Sequence, residues 1–338
     1  MKTRKIPVVM PLATVAALLA FAGCGGGGGG GVASPATLPA AVTTVFPSTH
    51  AAGSEELAAF NLLNAERERC GFGSLAQNAQ LDAAARAHAD YQIVNSVVSH
   101  LEDAGNPNGF TGVFAADRIA AAGYTDAGAL SDEIAGFLGT SEKAGLGGPA
   151  LRNLLNAPYH LQGLMSGFRD VGMSVRSSAD TGVGAAAVIL QINAAYKRVA
   201  GPQLFAGTEV HTYPCEGTSG VNFKLTNEEP NPVPGRDLST APLGSSVYVA
   251  ARDGNVLDVT SASMVQLSTG QFVTLRAPIT AANDPHGPCV AGCFKSHQAY
   301  VVADAPLQAN MSYQVTINGT NNGTSFSRTF SFATGTGG

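Results

Sequence analysis

The chain has 338 residues, of which 45% are hydrophobic and only 13% charged, and it contains no tryptophan. That length accommodates two domains of ordinary size. Its 24 acidic side chains outnumber 19 basic ones, giving a net charge of −5. Such a balance leaves no basic face for nucleic acid and argues against that class of partner.

Lys2, Arg4 and Lys5 precede the apolar stretch Ile6 to Ala22, the layout of an export signal occupying residues 1–23. Its end, Ala22-Gly23-Cys24, resembles a bacterial lipoprotein signal, although Phe21 stands where leucine is usual. The resemblance implies that Cys24 is lipidated and becomes the first mature residue. The protein would then be exported and held at the cell envelope (outer membrane or cell surface) through a membrane lipid anchor. A plain secretory signal or an uncleaved anchor is the other reading. With Cys24 set aside, Cys70, Cys215, Cys289 and Cys293 form an even set in an oxidising compartment. Cys289 and Cys293 are close enough to close a small loop, which pairs Cys70 with Cys215. His286 and His297 flank the close pair, so a metal knuckle is the alternative there.

Seven consecutive glycines, Gly25 to Gly31, open a Pro/Ala/Thr-rich stretch. It holds too little apolar surface to fold, so residues 24–53 are read as a disordered linker. A folded domain is expected over 54–200. Leu57, Phe60 and Leu63 share one helical face, Glu55 and Glu56 suit the positive end of that helix, and Cys70-Gly71 ends it. Asn78 caps a second helix in which Leu81, Ala84, Ala85, His88 and Tyr91 keep the 3.6-residue period. His88 belongs to that stripe and is read as a core or boundary histidine. The helix should stop near Val97 or Val98 and deliver His100 to the following loop. Short helices are expected from Asp117 and from about Asp132, the latter carrying Glu133. Pro149 and Pro158 open two more. Strands follow over 171–175 and 185–192. Residues 201–244 read as a connecting segment, and 245–336 as a second domain of short strands arranged in a β-sandwich.

Leu62-Leu63-Asn64-Ala65-Glu66-Arg67, Asn78-Ala79-Gln80-Leu81 and Ala84 to Ala89 resemble the opening of a CAP (SCP) domain. That superfamily comprises cysteine-rich secretory proteins, antigen 5 and pathogenesis-related 1 proteins. Ser99-His100, Asp117-Arg118, Ala122-Gly123-Tyr124, Glu133-Ile134-Ala135, Pro158-Tyr159-His160 and Val171-Gly172-Met173 continue the bacterial pattern in order over residues 54–198. The end of the chain, from Ala305-Pro306-Leu307 through Tyr313 to Ile317 and Phe330 to Gly335, resembles a bacterial Ig-like domain. The expected fold class is therefore α+β: a CAP-type α-β-α sandwich followed by an Ig-like β-sandwich.

The family has a cleft lined by two histidines and two acids, sometimes with a divalent metal. By position, the resemblance implies His100, His160 and Glu133; Glu102 and Asp132 are the candidates for the second acid. Ile134 replaces the usual Asn after the family's Glu, Leu161 replaces the Arg after the second His, and the Trp upstream of that His is absent. Zinc is the ion such ligands would suit, with His100, His160 and Glu133 around it, but no close-set signature places two ligands on one helix. The expectation is a binding protein rather than an enzyme. Its partner would be a lipid- or sterol-like molecule, as the family implies, or an envelope or host protein. A metal-dependent hydrolase of peptide or envelope material and a purely structural envelope protein are the rival readings.

Overall fold

Residues 41–42, 44, 47–287 and 293–338 are described by the computed structural model. The export signal, Cys24, the glycine run and Cys289 lie outside the described residues. Helix α1 (Glu55–Arg69) begins where the Ser54 hydroxyl accepts the Leu57 N–H, and it ends at Cys70, with Gly71 at φ +80°. Helix α2 (Ala79–Asn95) begins where Asn78 Oδ1 accepts the Gln80 and Leu81 N–H groups. It stops at Ser96, φ 54°, slightly before the expected end, and the chain then turns toward His100. After the short α3 (Ala115–Ala121) come α4 (Gly147–Asn156) and α5 (Pro158–Met165). Pro149 sits in the first turn of α4 and Pro158 opens α5, as their missing N–H groups allow.

The first sheet holds β1 (Ala76–Gln77), β2 (Ala127–Leu138), β3 (Asp170–Ser177) and β4 (Ala187–Lys197) in the order β1-β3-β4-β2; a one-turn helix, α6 (Ser178–Thr181), follows β3. The helix expected from Asp132 is not formed. That stretch is strand β2, antiparallel to β4, with Asp132 opposite Asn193 and Glu133 opposite Ile192. The physical reason is the period-two alternation of a strand: Ser131, Glu133, Ala135 and Phe137 face one side, while Asp132 and Ile134 face the other. Two adjacent acids that would crowd one helix turn are thereby separated by the sheet.

Strand β4 shows the layering. Val188, Leu190, Ile192 and Ala194 pack with Phe60, Leu63, Leu151 and Leu161 of α1, α4 and α5, whereas Ile189 and Ala195 pack with Ile93 and Leu81 of α2. Each such fully buried Leu, Ile or Phe contributes about 1.5–3 kcal/mol relative to exposure. The arrangement is an α-β-α sandwich.

Two further sheets complete the α+β fold. One has the order β10-β11-β7-β5, from β5 (Val210–Tyr213), β7 (Ser246–Ala251), β10 (Ile279–Thr280) and β11 (Gln298–Val302). The other has the order β6-β13-β12-β8-β9, from β6 (Thr218–Val221), β8 (Leu257–Gln266), β9 (Gln271–Phe272), β12 (Ser312–Asn321) and β13 (Thr324–Thr334). Residues 201–244, expected as a connector, supply one strand to each sheet. Val247, Val249 and Val301 pack against Val315, Ile317 and Phe330 of the second sheet. Tyr248, Ala250, Tyr300 and Val302 belong instead to the core that contains α1, α4 and α5. The helical layer therefore lies between two sheets. The Cys70–Cys215 disulfide forms as expected and ties the end of α1 to the turn between β5 and β6. Cys293 is disulfide-bonded.

Candidate functional site

Strand β2 is the edge of the first sheet, and two histidines meet across it. His100 arrives from the α2 side and His160 from the first turn of α5, with ring centroids 5.8 Å apart. His100 Nδ1 donates to Asp132 Oδ2 at 3.0 Å, and its side chain is 47% exposed. Asp132 is held in turn by Arg118 Nη2 at 3.1 Å and Gln191 Nε2 at 2.6 Å. His160 Nδ1 lies 3.2 Å from Glu228 Oε2, and Glu228 also accepts the Tyr159 N–H at 3.0 Å.

The electrostatics follow from these partners. Burial works against charge on His160, but the carboxylates of Glu228, Glu133 and Asp132 outweigh it and raise the imidazole to about 9. The ring is therefore cationic at neutral pH. Glu133 is pushed up to about 7 by burial, against the opposing pull of His160, the Ser131 hydroxyl and His100. Its carboxylate accepts from Ser131 and rests on Gly163, where a Cβ would collide with Oε1. Gly163 is one turn beyond His160 on α5, so the absent side chain is what lets Glu133 approach the helix.

Glu102 does not join this group. It is 1% exposed and accepts from the Thr111 and Gly112 N–H groups and the Thr111 hydroxyl; its Oε1 lies 2.9 Å from His88 Nδ1. The two-residue spacing from His100 that suggested a shared cleft instead points the two side chains to opposite sides of the loop. His88 is a buried core histidine, as expected, with Nε2 2.9 Å from the Ser99 carbonyl. Burial, then the Arg118 guanidinium, push its pKa below the ordinary value. Asp132, the other candidate, is the acid that reaches His100. Glu228 was not anticipated: it lies 68 residues beyond His160, inside the stretch read as a connector. The acidic pair Glu228-Glu229 ahead of Pro230 was the available signal.

The proposed zinc set does not fit this geometry. Both Nδ1 atoms are engaged by different acids and Glu133 turns to Ser131 and Gly163. Among the described residues, no three His, Cys, Asp or Glu side chains are placed to hold a metal ion. Catalysis by a hydroxyl is equally unprepared. Ser99 Oγ accepts the Leu101 N–H and Ser131 donates to Glu133, so neither is bonded to a histidine.

The histidine pair opens onto a cavity of about 710 Å³. One wall is Val98 to Leu101, another is Ile134 to Leu138 of β2, and a third is the extended segment Lys224 to Glu229. Val98 and Leu101 are each 50% exposed and Leu138 74%, so apolar surface stands beside the charged pair.

No family model matches the chain, and no curated protein matches it. Solved structures do. An outer surface protein of Borrelia burgdorferi aligns at 13% identity over 43% of this chain and 93% of that one, with a TM-score of 0.34. An extracellular protein of Bacillus anthracis containing an SCP domain aligns at 22% identity and a TM-score of 0.32. That alignment covers 42% of this chain and 40% of the other. A DUF4426 family protein of Pseudomonas aeruginosa aligns at 17% identity over 39% and 90% of the two chains, with a TM-score of 0.22. At these scores the likenesses do not decide a family. No helix among the described residues is long and apolar enough to cross a membrane.

Proposed function

We propose that this is an exported, surface-tethered binding protein of CAP type whose cleft holds its ligand without covalent chemistry, followed by an Ig-like spacer or adhesive module. The observation that carries this reading is the His100–His160 pair across the edge of β2, both rings held by acids, above an open cavity with exposed apolar walls. The ordered motifs between Leu62 and Met173 and the α-β-α layering support the CAP assignment. The signal-like N-terminus and the Cys70–Cys215 disulfide support export, and Cys24 would carry the lipid. A ligand with an apolar body, whether lipid, sterol or protein segment, would cover Val98, Leu101 and Leu138 and reach the charged His160. The hydrolase reading loses ground because, among the described residues, no metal-donor set is assembled and neither Ser99 nor Ser131 offers its hydroxyl to a histidine.

The test is an NMR titration of the exported chain with palmitate, cholesterol sulfate and short β-forming peptides. At least one should shift the amides of Ile134 to Leu138 and leave the ligand unaltered. Absence of any shift in the cleft, or turnover of the ligand, would overturn the reading. Intact mass of the exported protein tests the anchor: an unlipidated Cys24 would remove that part.

A further inference from the structure

The cavity runs along a sheet edge whose backbone is open. The Gly139 N–H bonds the Ala186 carbonyl, and extending the β2–β4 register one pair beyond Leu138–Ala187 sets these residues opposite each other. In an antiparallel ladder hydrogen-bonded pairs alternate, so Ser131, Glu133, Ala135 and Phe137 bond to β4. Ile134, Gly136 and Leu138 therefore aim their N–H and C=O groups away from the sheet. None of these groups has a hydrogen-bond partner among the described residues.

The opposite edge is treated differently. Beyond the short β1, the outward N–H groups of β3 at Met173 and Val175 are closed off by Asp82 Oδ1 at 2.8 Å and Glu56 Oε1 at 3.0 Å. Natural sheets blunt their edges with lysine, proline, bulges or a covering element. Residues Leu130 to Leu138 contain no lysine or proline and keep regular register with β4. Gly136, in the middle of the open stretch, is the residue type found where another backbone approaches closely.

The third wall supplies charge. Gly163 of α5 faces Glu133 of β2, and His160, one turn earlier, lines the cavity beside Asn156 at the end of α4. Asn156 donates to the Lys224 carbonyl at 2.9 Å, and Glu228 pairs with His160. Segment 224–229 is thus fixed to the end of α4 at Lys224 and to α5 at Glu228, and it lines the same cavity as Ile134–Leu138. Neither Lys224 nor Glu229 has an ion-pair partner among the described residues, and both line the cavity.

We propose that this edge is a peptide-docking site: an extended segment of another polypeptide adds as a fifth strand along Ile134–Leu138, with an acidic residue toward Lys224 and a basic residue toward Glu229. This rests on the cleft being the binding site and names its partner. Main-chain bonds to Ile134, Gly136 and Leu138 would supply affinity, and alternate side chains would meet the Val98–Leu101 wall and the His160 wall. At ~3.3 Å per residue, the open stretch matches about five peptide residues.

The test uses the full chain and two blocked pentapeptides, acetyl-Glu-Val-Thr-Val-Lys-amide and acetyl-Lys-Val-Thr-Val-Glu-amide, which present the two charges in opposite order along the strand. Amide hydrogen exchange is followed by NMR. One peptide at saturation should slow exchange at Ile134, Gly136 and Leu138 by about tenfold or more, while its N-methylated form does nothing. Gly136→Pro should abolish the effect with Ala135 and Phe137 still protected; Lys224→Glu should erase the preference between the two peptides, and Lys224→Glu combined with Glu229→Lys should reverse it. No slowing, or equal binding of the N-methylated peptide, would overturn the proposal. So would protection of these amides in the peptide-free chain together with dimer formation, which would make a second copy the occupant. Palmitate or cholesterol sulfate shifting the cleft without protecting these amides would leave the binding-protein reading standing and remove only the peptide; an empty cleft would remove both.

Discussion

Two histidine–glutamate pairs lie on either side of the same loop and do different work. His88 and Glu102 are sealed under α2, and every oxygen of Glu102 is used by a neighbour. His160 and Glu228 stand at the cleft, joined by Glu133 and Asp132. The residue types are the same; the surrounding charge differs. Burial and Arg118 depress His88, whereas three carboxylates raise His160 to about 9 despite burial. The first pair is scaffold, and the second keeps a charge in contact with a ligand-sized space.

Removing an acid should separate the two most sharply. Glu102→Ala leaves His88, the Thr111 hydroxyl and two backbone N–H groups without this acceptor, and should cost about 3–5 kcal/mol in urea denaturation. Raising the pH probes the other pair. The folded pKa of His160 is raised from 6.5 to about 9, so its contribution is fully present below pH 6.5 and is lost as pH rises through 9. That loss amounts to about 3 kcal/mol at most. His160→Gln should flatten this limb of the stability–pH curve; an unchanged curve would mean the charge is not held there.

Glu133 offers a finer measurement. Its folded pKa is also raised, from 4.5 to about 7, so it carries no ionisation penalty below pH 4.5 and opposes the fold increasingly up to about pH 7. Glu133→Gln should therefore stabilise the protein by ~1–3 kcal/mol at pH 8 and leave it unchanged at pH 4. Gly163→Ala should destabilise by ~1–3 kcal/mol through the clash with the Glu133 carboxylate and the Ser131 hydroxyl, and less in a Glu133→Ala, Ser131→Ala background. His100→Ala, half-exposed and singly bonded, should change stability by less than about 1 kcal/mol.

Helices α1, α2, α4 and α5 were legible in the sequence because Glu55 and Glu56, Asn78, Pro149 and Pro158 act on their own neighbours. Strand β2 was not. Its Ala, Gly, Ser, Asp and Glu lack the β-branched signature, and it is held by register with β4 rather than by propensity. His100 and His160 were brought together by the order of motifs, and Asp132 was in view as a candidate acid. Glu102 was misplaced because spacing along an irregular loop does not say which way each side chain turns. Glu228 was missed because its role depends on a pairing between distant parts of the chain, inside a segment whose composition reads as loop.

The sheet containing β7 and β11 buries both of its faces, one against the outer strands and one against α1, α4 and α5. A chain that emerges from its N-terminus thus holds a helical layer with one side uncovered until Val302 has appeared. The core of α1, α4 and α5 is for that reason expected to close only once residues 246–302 are available. A fragment ending near Ala200 would present the partners of Tyr248 and Tyr300 to water and should collect as aggregate rather than as a smaller, working version of the protein.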